Sequence, residues 1–207
     1  MDITVLSGRI RNISTENSFG AVLECGFNAG KPEMLDTEKK TDKDLRVLNL
    51  ISISGGNLQL EGRMGACLGT GTLALSDTTI NIFGGSLHIS SVSGAGIGFG
   101  SANAGKLIMN ITGGDIFSNS DKAAAIGTGD TCLVEGNIAI YGGKIQAFSK
   151  ATFGMGKTVN SKCHLKITQS KNKATMVYTN GISDILSQKY WHNTTITNEP
   201  PVSVAAN

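Results

Sequence analysis

Apolar and polar positions alternate in short runs that return at a fixed interval. Ile51-x-Ile53, Ile80-x-Ile82, Met109-x-Ile111 and Ile138-x-Ile140 each set two aliphatics two residues apart, just ahead of a Gly-Gly pair. The pairs stand at 55-56, 84-85, 113-114 and 142-143, so that 84−55, 113−84 and 142−113 are all 29. Period-two alternation predicts a strand with one buried face. A second such run follows each pair: Asn57-Leu58-Gln59-Leu60, Ser86-Leu87-His88-Ile89, Asp115-Ile116-Phe117-Ser118 and Lys144-Ile145-Gln146-Ala147. Gly-Gly is then the corner between two strands, where positive φ or close backbone approach excludes a Cβ.

A third element begins about ten residues after the glycine corner. It reads Ala66-Cys67-Leu68-Gly69-Thr70-Gly71, Ala95-Gly96-Ile97-Gly98-Phe99-Gly100, Ala124-Ala125-Ile126-Gly127-Thr128-Gly129 and Phe153-Gly154-Met155-Gly156-Lys157-Thr158. One small residue and one aliphatic enter the core per turn, giving columns such as Ile53, Ile82, Ile111, Ile140 and Leu68, Ile97, Ile126, Met155. A period of this length fits three short strands plus loops, with neighbouring coils about 4.7 to 4.9 Å apart. The chain is therefore expected to be all-β, a parallel β-helix (β-solenoid) of about five to six coils.

The solenoid is expected over 1–181, with a degenerate first coil at 1–27, an inserted loop at 28–47, regular coils at 48–164 and a degenerate last coil at 165–181. Residues 182–207 read as a C-terminal cap and tail. Ser183 is a candidate N-cap of a short helix between 181 and 192, and 194–207 is a tail or linker. The insertion is dense in charge of both signs, and a long loop on a rigid scaffold is a natural place for partner contact.

The units Ile80-Asn81-Ile82-Phe83-Gly84-Gly85 and Gly94-Ala95-Gly96-Ile97-Gly98-Phe99-Gly100 resemble the Gly-Gly and Gly-Ala-Gly-Ile-Gly-x-Gly repeats of large bacterial surface and secreted proteins. The resemblance covers roughly 48–158 in four copies. It implies a right-handed, pectate-lyase-like parallel β-helix and an extracellular or cell-surface location, with a fragment of a longer exported protein as one form the chain can take. It implies no catalytic residue, because such arrays serve many roles.

Composition agrees with stacked backbone. The 207 residues include 27 Gly, only 3 Pro and 5% aromatics, so aliphatic and small residues replace an aromatic core. A formal charge of +2 gives no footprint for nucleic acid. No apolar run approaches the roughly 20 residues that span a bilayer, so no membrane insertion is expected. Met1-Asp2-Ile3 does not begin a secretory signal.

Candidate chemistry is sparse. A β-helix lyase or hydrolase would stack carboxylates and basic residues on neighbouring coils. The columns Glu61, Ser90, Asn119, Phe148 and Arg63, Val92, Asp121, Lys150 never stack two carboxylates, and Glu61, Arg63 and Asp121 are the catalytic candidates if the chain is an enzyme. Asp77, Lys106, Glu135 and His164 alternate in sign and read as a structural ladder. The histidines fall at unrelated phases and no Cys-x-x-Cys occurs, so neither metal nor cofactor is expected. The four cysteines are either buried thiols or the pairs Cys25-Cys67 and Cys132-Cys163. Two columns carry aromatics at positions read as outward: Ser54, Phe83, Thr112, Tyr141 at the corner and Thr70, Phe99, Thr128, Lys157 in the third element. Aromatics among small polar residues suit stacking on sugar rings, making Phe83, Phe99 and Tyr141 the ligand-binding candidates. The expected function is a non-catalytic binding or scaffolding module of an exported or surface protein, whose partner is a glycan or a protein. The alternatives are a β-helix polysaccharide lyase or glycoside hydrolase, and a structural segment of a longer fibre or phage tail.

Overall fold

The computed structural model of the chain is an all-β parallel solenoid with the 29-residue period. It describes residues 2–13, 23–24, 47–129, 132–148, 151–154, 164–169, 176–179 and 194–197. The first coil supplies β1 (Asp2–Val5), β2 (Arg9–Ile13) and β3 (Leu23–Glu24). Three coils then follow without a break between 47 and 129. They comprise β4 (Val47–Ile53), β5 (Asn57–Gly62) and β6 (Leu68–Gly69); β7 (Ser76–Ile82), β8 (Ser86–Ser91) and β9 (Ile97–Phe99); and β10 (Ala104–Ile111), β11 (Asp115–Ser120) and β12 (Ala124–Thr128). Beyond them lie β13 (Leu133–Ile140), β14 (Lys144–Phe148), β15 (Ala151–Gly154), β16 (His164–Gln169), β17 (Met176–Thr179) and β18 (Thr194–Thr197).

Each strand pairs with its counterpart one coil away, which builds three sheets along the axis. The first runs β1-β4-β7-β10-β13-β16-β18, the second β17-β14-β11-β8-β5-β2 and the third β15-β12-β9-β6-β3. Ile53, Ile82, Ile111 and Ile140 are successive in-register partners, and all four are fully buried. Each such side chain contributes about 1.5 to 3 kcal/mol relative to exposure. The columns thus bind coil to coil as well as filling the lumen.

The first corner is set by the second glycine of each pair, which is left-handed at Gly56 (φ 90°), Gly85 (98°), Gly114 (99°) and Gly143 (92°). In the third sheet Gly98 (φ 129°) lies so close to the next coil that a Cβ would collide with the carbonyl oxygen of Gly127. Leu73 and Ala102, one period apart, take left-handed φ at the turn into the first sheet (61° and 55°). Beside them the buried Asn103 side chain accepts from the Ala74 amide and donates to Thr70 Oγ1 (2.6 Å) and the Gly71 carbonyl (2.8 Å). One side chain therefore ties its own coil to the turn of the coil before.

The ends depart from the regular period in measurable ways. Asp2 pairs with Leu50 and Arg9 with Asn57, both offsets of 48 (50−2 and 57−9), or 19 more than one period (48−29). Leu23 pairs with Leu68, an offset of 45 (68−23), so 16 of the extra residues (45−29) fall between β3 and β4 and 3 (48−45) between β2 and β3; residues 25–46 lie outside the described residues. Ile126 pairs with Phe153, an offset of 27 (153−126), so Phe153 takes the place expected of Met155. Between β14 and β17 the offset is 32 (176−144). The strand β18 pairs with β16 at an offset of 29 (194−165), within the stretch read as a tail. The candidate helix with Ser183 lies outside the described residues.

Candidate binding ridge at the first corner

The alternation of β7 (Ser76 to Ile82 reads in, out, in) leaves the next residue, Phe83, pointing outward just before the chain turns. Backbone bonds fix the same position in each coil: Phe83 N–H donates to Ile53 O (2.8 Å), Thr112 N–H to Ile82 O (2.8 Å) and Tyr141 N–H to Ile111 O (2.7 Å). Ser54, Phe83, Thr112 and Tyr141 consequently form one rail along the axis. Phe83 is 46% exposed, while Thr112 and Tyr141 are half-buried.

Across the glycines runs a second rail of Asn57, Ser86, Asp115 and Lys144, in register coil by coil. The amides of Ser86, Asp115 and Lys144 donate to the carbonyls of Gly56, Gly85 and Gly114 at 2.8 to 2.9 Å, so the turn has little freedom. Lys144 Nζ stands 3.6 Å from Asp115 Oδ2, with the two side chains 49% and 59% exposed. Between the rails lies bare glycine backbone.

Phe99 is not on any outer surface. It is fully buried among the largest core side chains. It follows the inward Ile97 by two residues, and on extended backbone such residues share a face. Thr70 and Thr128, its equivalents in the adjacent coils, are buried as well. This removes Phe99 as a contact residue, leaving Phe83 and Tyr141.

The outer face of the second sheet carries aromatics that the columns followed through corner and loop positions do not bring together. His88 and Phe117, in-register partners on β8 and β11, stack with ring centroids 4.5 Å apart and planes inclined by 7°. Phe148 approaches Phe117 at 5.3 Å with a 39° tilt. Adding one period to the outward positions of the second strand (59, 88, 117, 146) is the signal that finds the His88–Phe117 pair, whereas Phe148 reaches Phe117 from the next outward column (61, 90, 119, 148).

The catalytic candidates are spread out. Glu61 on β5 is half-buried, with Ile13 and Ser90 as its in-register neighbours, so neither adjacent coil sets a carboxylate against it. Arg63 and Asp121 are exposed and 58 residues apart (121−63), which is two periods. Among the described residues no group of three or more His, Cys, Asp or Glu is placed to hold a metal ion.

The ladder column is in register from Lys106 through Glu135 to His164. Asp77 Oδ1 accepts the Lys106 backbone N–H at 2.8 Å, which ties β7 to β10 in this column. Cys67 is a free, buried thiol whose Sγ donates to Ser90 O (2.8 Å), and Cys132 Sγ donates to Gly100 O (3.2 Å). Burial pushes the Cys67 thiol up to about 12, against opposing hydrogen bonds from the Gly62 backbone and Ser91. Cys25 and Cys163 lie outside the described residues.

Fold and ridge together define a parallel β-solenoid with a two-railed corner. No family model, curated protein or solved structure matches the chain. Among the described residues no helix is long and apolar enough to cross a membrane.

Proposed function

We propose that the chain is a non-catalytic binding module of an exported or cell-surface protein, and that it holds a glycan at the first corner through Phe83 and Tyr141. The observation that carries this reading is the exposure of Phe83, a large apolar ring kept 46% open on a coil whose backbone is bonded on both sides. Rigid aromatics beside hydroxyl and amide groups recognise sugars by stacking on the ring and bonding its hydroxyls, and they lose little entropy in doing so. Thr112, Ser86 and Asn57 supply such groups on the two rails. Further support comes from the likeness of the Gly-Gly and Gly-Ala-Gly-Ile-Gly-x-Gly units to repeats of bacterial surface proteins with right-handed, pectate-lyase-like helices.

The test is a glycan-array screen of the chain and of a Phe83→Ala/Tyr141→Ala variant, with reducing-sugar release measured on every glycan bound. Binding that disappears in the variant, without sugar release, is the expected result. Release of reducing ends would replace the reading with an enzyme, and binding unchanged in the variant would move the site off this ridge.

A further inference from the structure

We propose that Phe83 and Tyr141 are the two walls of a slot, open above Thr112, which takes one ring of a neutral sugar and leads the rest of the glycan across the corner, transverse to the solenoid axis. The proposal rests on the glycan-binding reading and adds the ligand's class and orientation.

The geometry comes from comparing two spacings on the same molecule. His88 and Phe117 occupy adjacent coils, and their rings close on each other at 4.5 Å, leaving nothing between them. Phe83 and Tyr141 occupy the same column but are separated by a whole coil, with the small Thr112 between. Two coil spacings of about 4.7 to 4.9 Å set them about 9.4 to 9.8 Å apart, too far for direct ring contact. A ring in van der Waals contact with both walls needs about 3.5 to 4.0 Å on each side, and the remainder accommodates the thickness of a puckered pyranose. Thr112, half-buried between the two walls, offers a hydroxyl to a ring substituent.

Orientation follows from the walls. Rings set one above another in a column of this solenoid turn their faces along the axis, as His88 and Phe117 do within 7° of parallel, so a sugar ring between Phe83 and Tyr141 takes the same attitude, and glycosidic bonds leave a pyranose near the plane of the ring. The chain then passes sideways over Gly113-Gly114, where no Cβ obstructs it, toward Asp115 on the second rail. Charge selects a neutral ligand, because Asp115 and Lys144 offset one another at 3.6 Å.

Filling the slot tests this. Thr112→Phe places a ring in the vacant coil and converts the column into a continuous ladder of the kind His88 and Phe117 already form. Wild-type chain and variant are titrated with a neutral oligosaccharide taken from the array, and melting is recorded for both. The expected result is a loss of affinity of roughly tenfold or more with melting equal to or above wild type, since both wall contacts are blocked while the fold is kept. Thr112→Leu, which fills the slot without a ring, gives the same direction and serves if the phenylalanine disturbs the coil. Affinity equal to or above wild type in a folded variant overturns the slot while leaving glycan binding standing. Failure of the wild-type chain to bind any neutral glycan overturns both.

Discussion

His88 and Phe117 stack face to face between neighbouring coils, 4.5 Å from centroid to centroid and within 7° of parallel. The stack occupies ring faces that would otherwise meet a ligand, so its primary effect is to hold β8 and β11 in register. A double-mutant cycle with His88→Ala and Phe117→Ala should give a coupling of about 0.5 to 1.5 kcal/mol, read from urea unfolding followed by circular dichroism. Strict additivity would mean that the rings touch without stabilising the fold.

Two glycines should respond very differently to alanine. At Gly98 a Cβ collides with the Gly127 carbonyl, and both partners are backbone in packed coils. At Gly8 (φ 99°) nothing lies within 4 Å of the added atom, so only the conformational penalty remains. Gly8→Ala is expected to cost about 1 to 2 kcal/mol, and Gly98→Ala to prevent the parallel stack from forming at that coil. Comparing soluble yield and melting of the two variants checks this.

Asn103 is a third point of leverage. Its replacement by Ala leaves the Ala74 amide and the Gly71 carbonyl without their side-chain partner in a buried turn. The expected loss is about 1 to 3 kcal/mol per group left unsatisfied, seen as a lowered melting temperature. Alanine itself fits there, since Ala74 occupies the same phase one coil earlier, so a neutral Asn103→Ala would show that these bonds contribute nothing net.

Cys67 predicts a pH dependence with a definite sign. Its thiol ionises near 9.0 when unfolded and near 12 when folded, because burial disfavours the thiolate. Between those values the unfolded chain has released a proton that the folded chain retains, so stability falls as pH rises from about 9 toward 12. Below that window the contribution is fully present. Cys67→Ala should flatten this part of the stability profile, and a thiol reagent at pH 8 should modify Cys67 only after urea is added. Rapid labelling of Cys67 in the folded protein would contradict its burial.

The columns of the first and second sheets were legible in the sequence because strand alternation and corner glycines both repeat without slippage. Ile53, Ile82, Ile111 and Ile140 are paired as their spacing requires. Phe99 was misplaced for a different reason: its neighbours in the column are Thr70 and Thr128, and polarity suggested solvent where burial prevails. Those threonines are buried with hydrogen bonds, Thr70 to Asn103 and Thr128 to Gly129 O, which hydropathy alone does not reveal. Phe153 takes the register place of Met155 because the connection from β14 to β15 is two residues shorter than its counterpart one coil earlier, while β13 and β16 keep the 29-residue offset, a local change that a fixed period cannot register. At the ridge, Phe83 and Tyr141 could be chosen from sequence, whereas the facing rail depended on knowing how the glycine turn closes.

That turn has a consequence for how such a molecule changes size. The left-handed glycines at 56, 85, 114 and 143, each followed by an amide bonded to the preceding coil, act like the teeth of a ratchet. Gaining or losing a few residues within a strand would bring every later tooth out of mesh, while gaining or losing a whole unit would leave the meshing intact. The 19 additional residues between β1 and β4 leave the meshing intact, since Asn57 N–H still donates to Gly8 O (2.8 Å). Lineages carrying this architecture are therefore free to vary in number of units and in length of outward loops, and are constrained almost everywhere else.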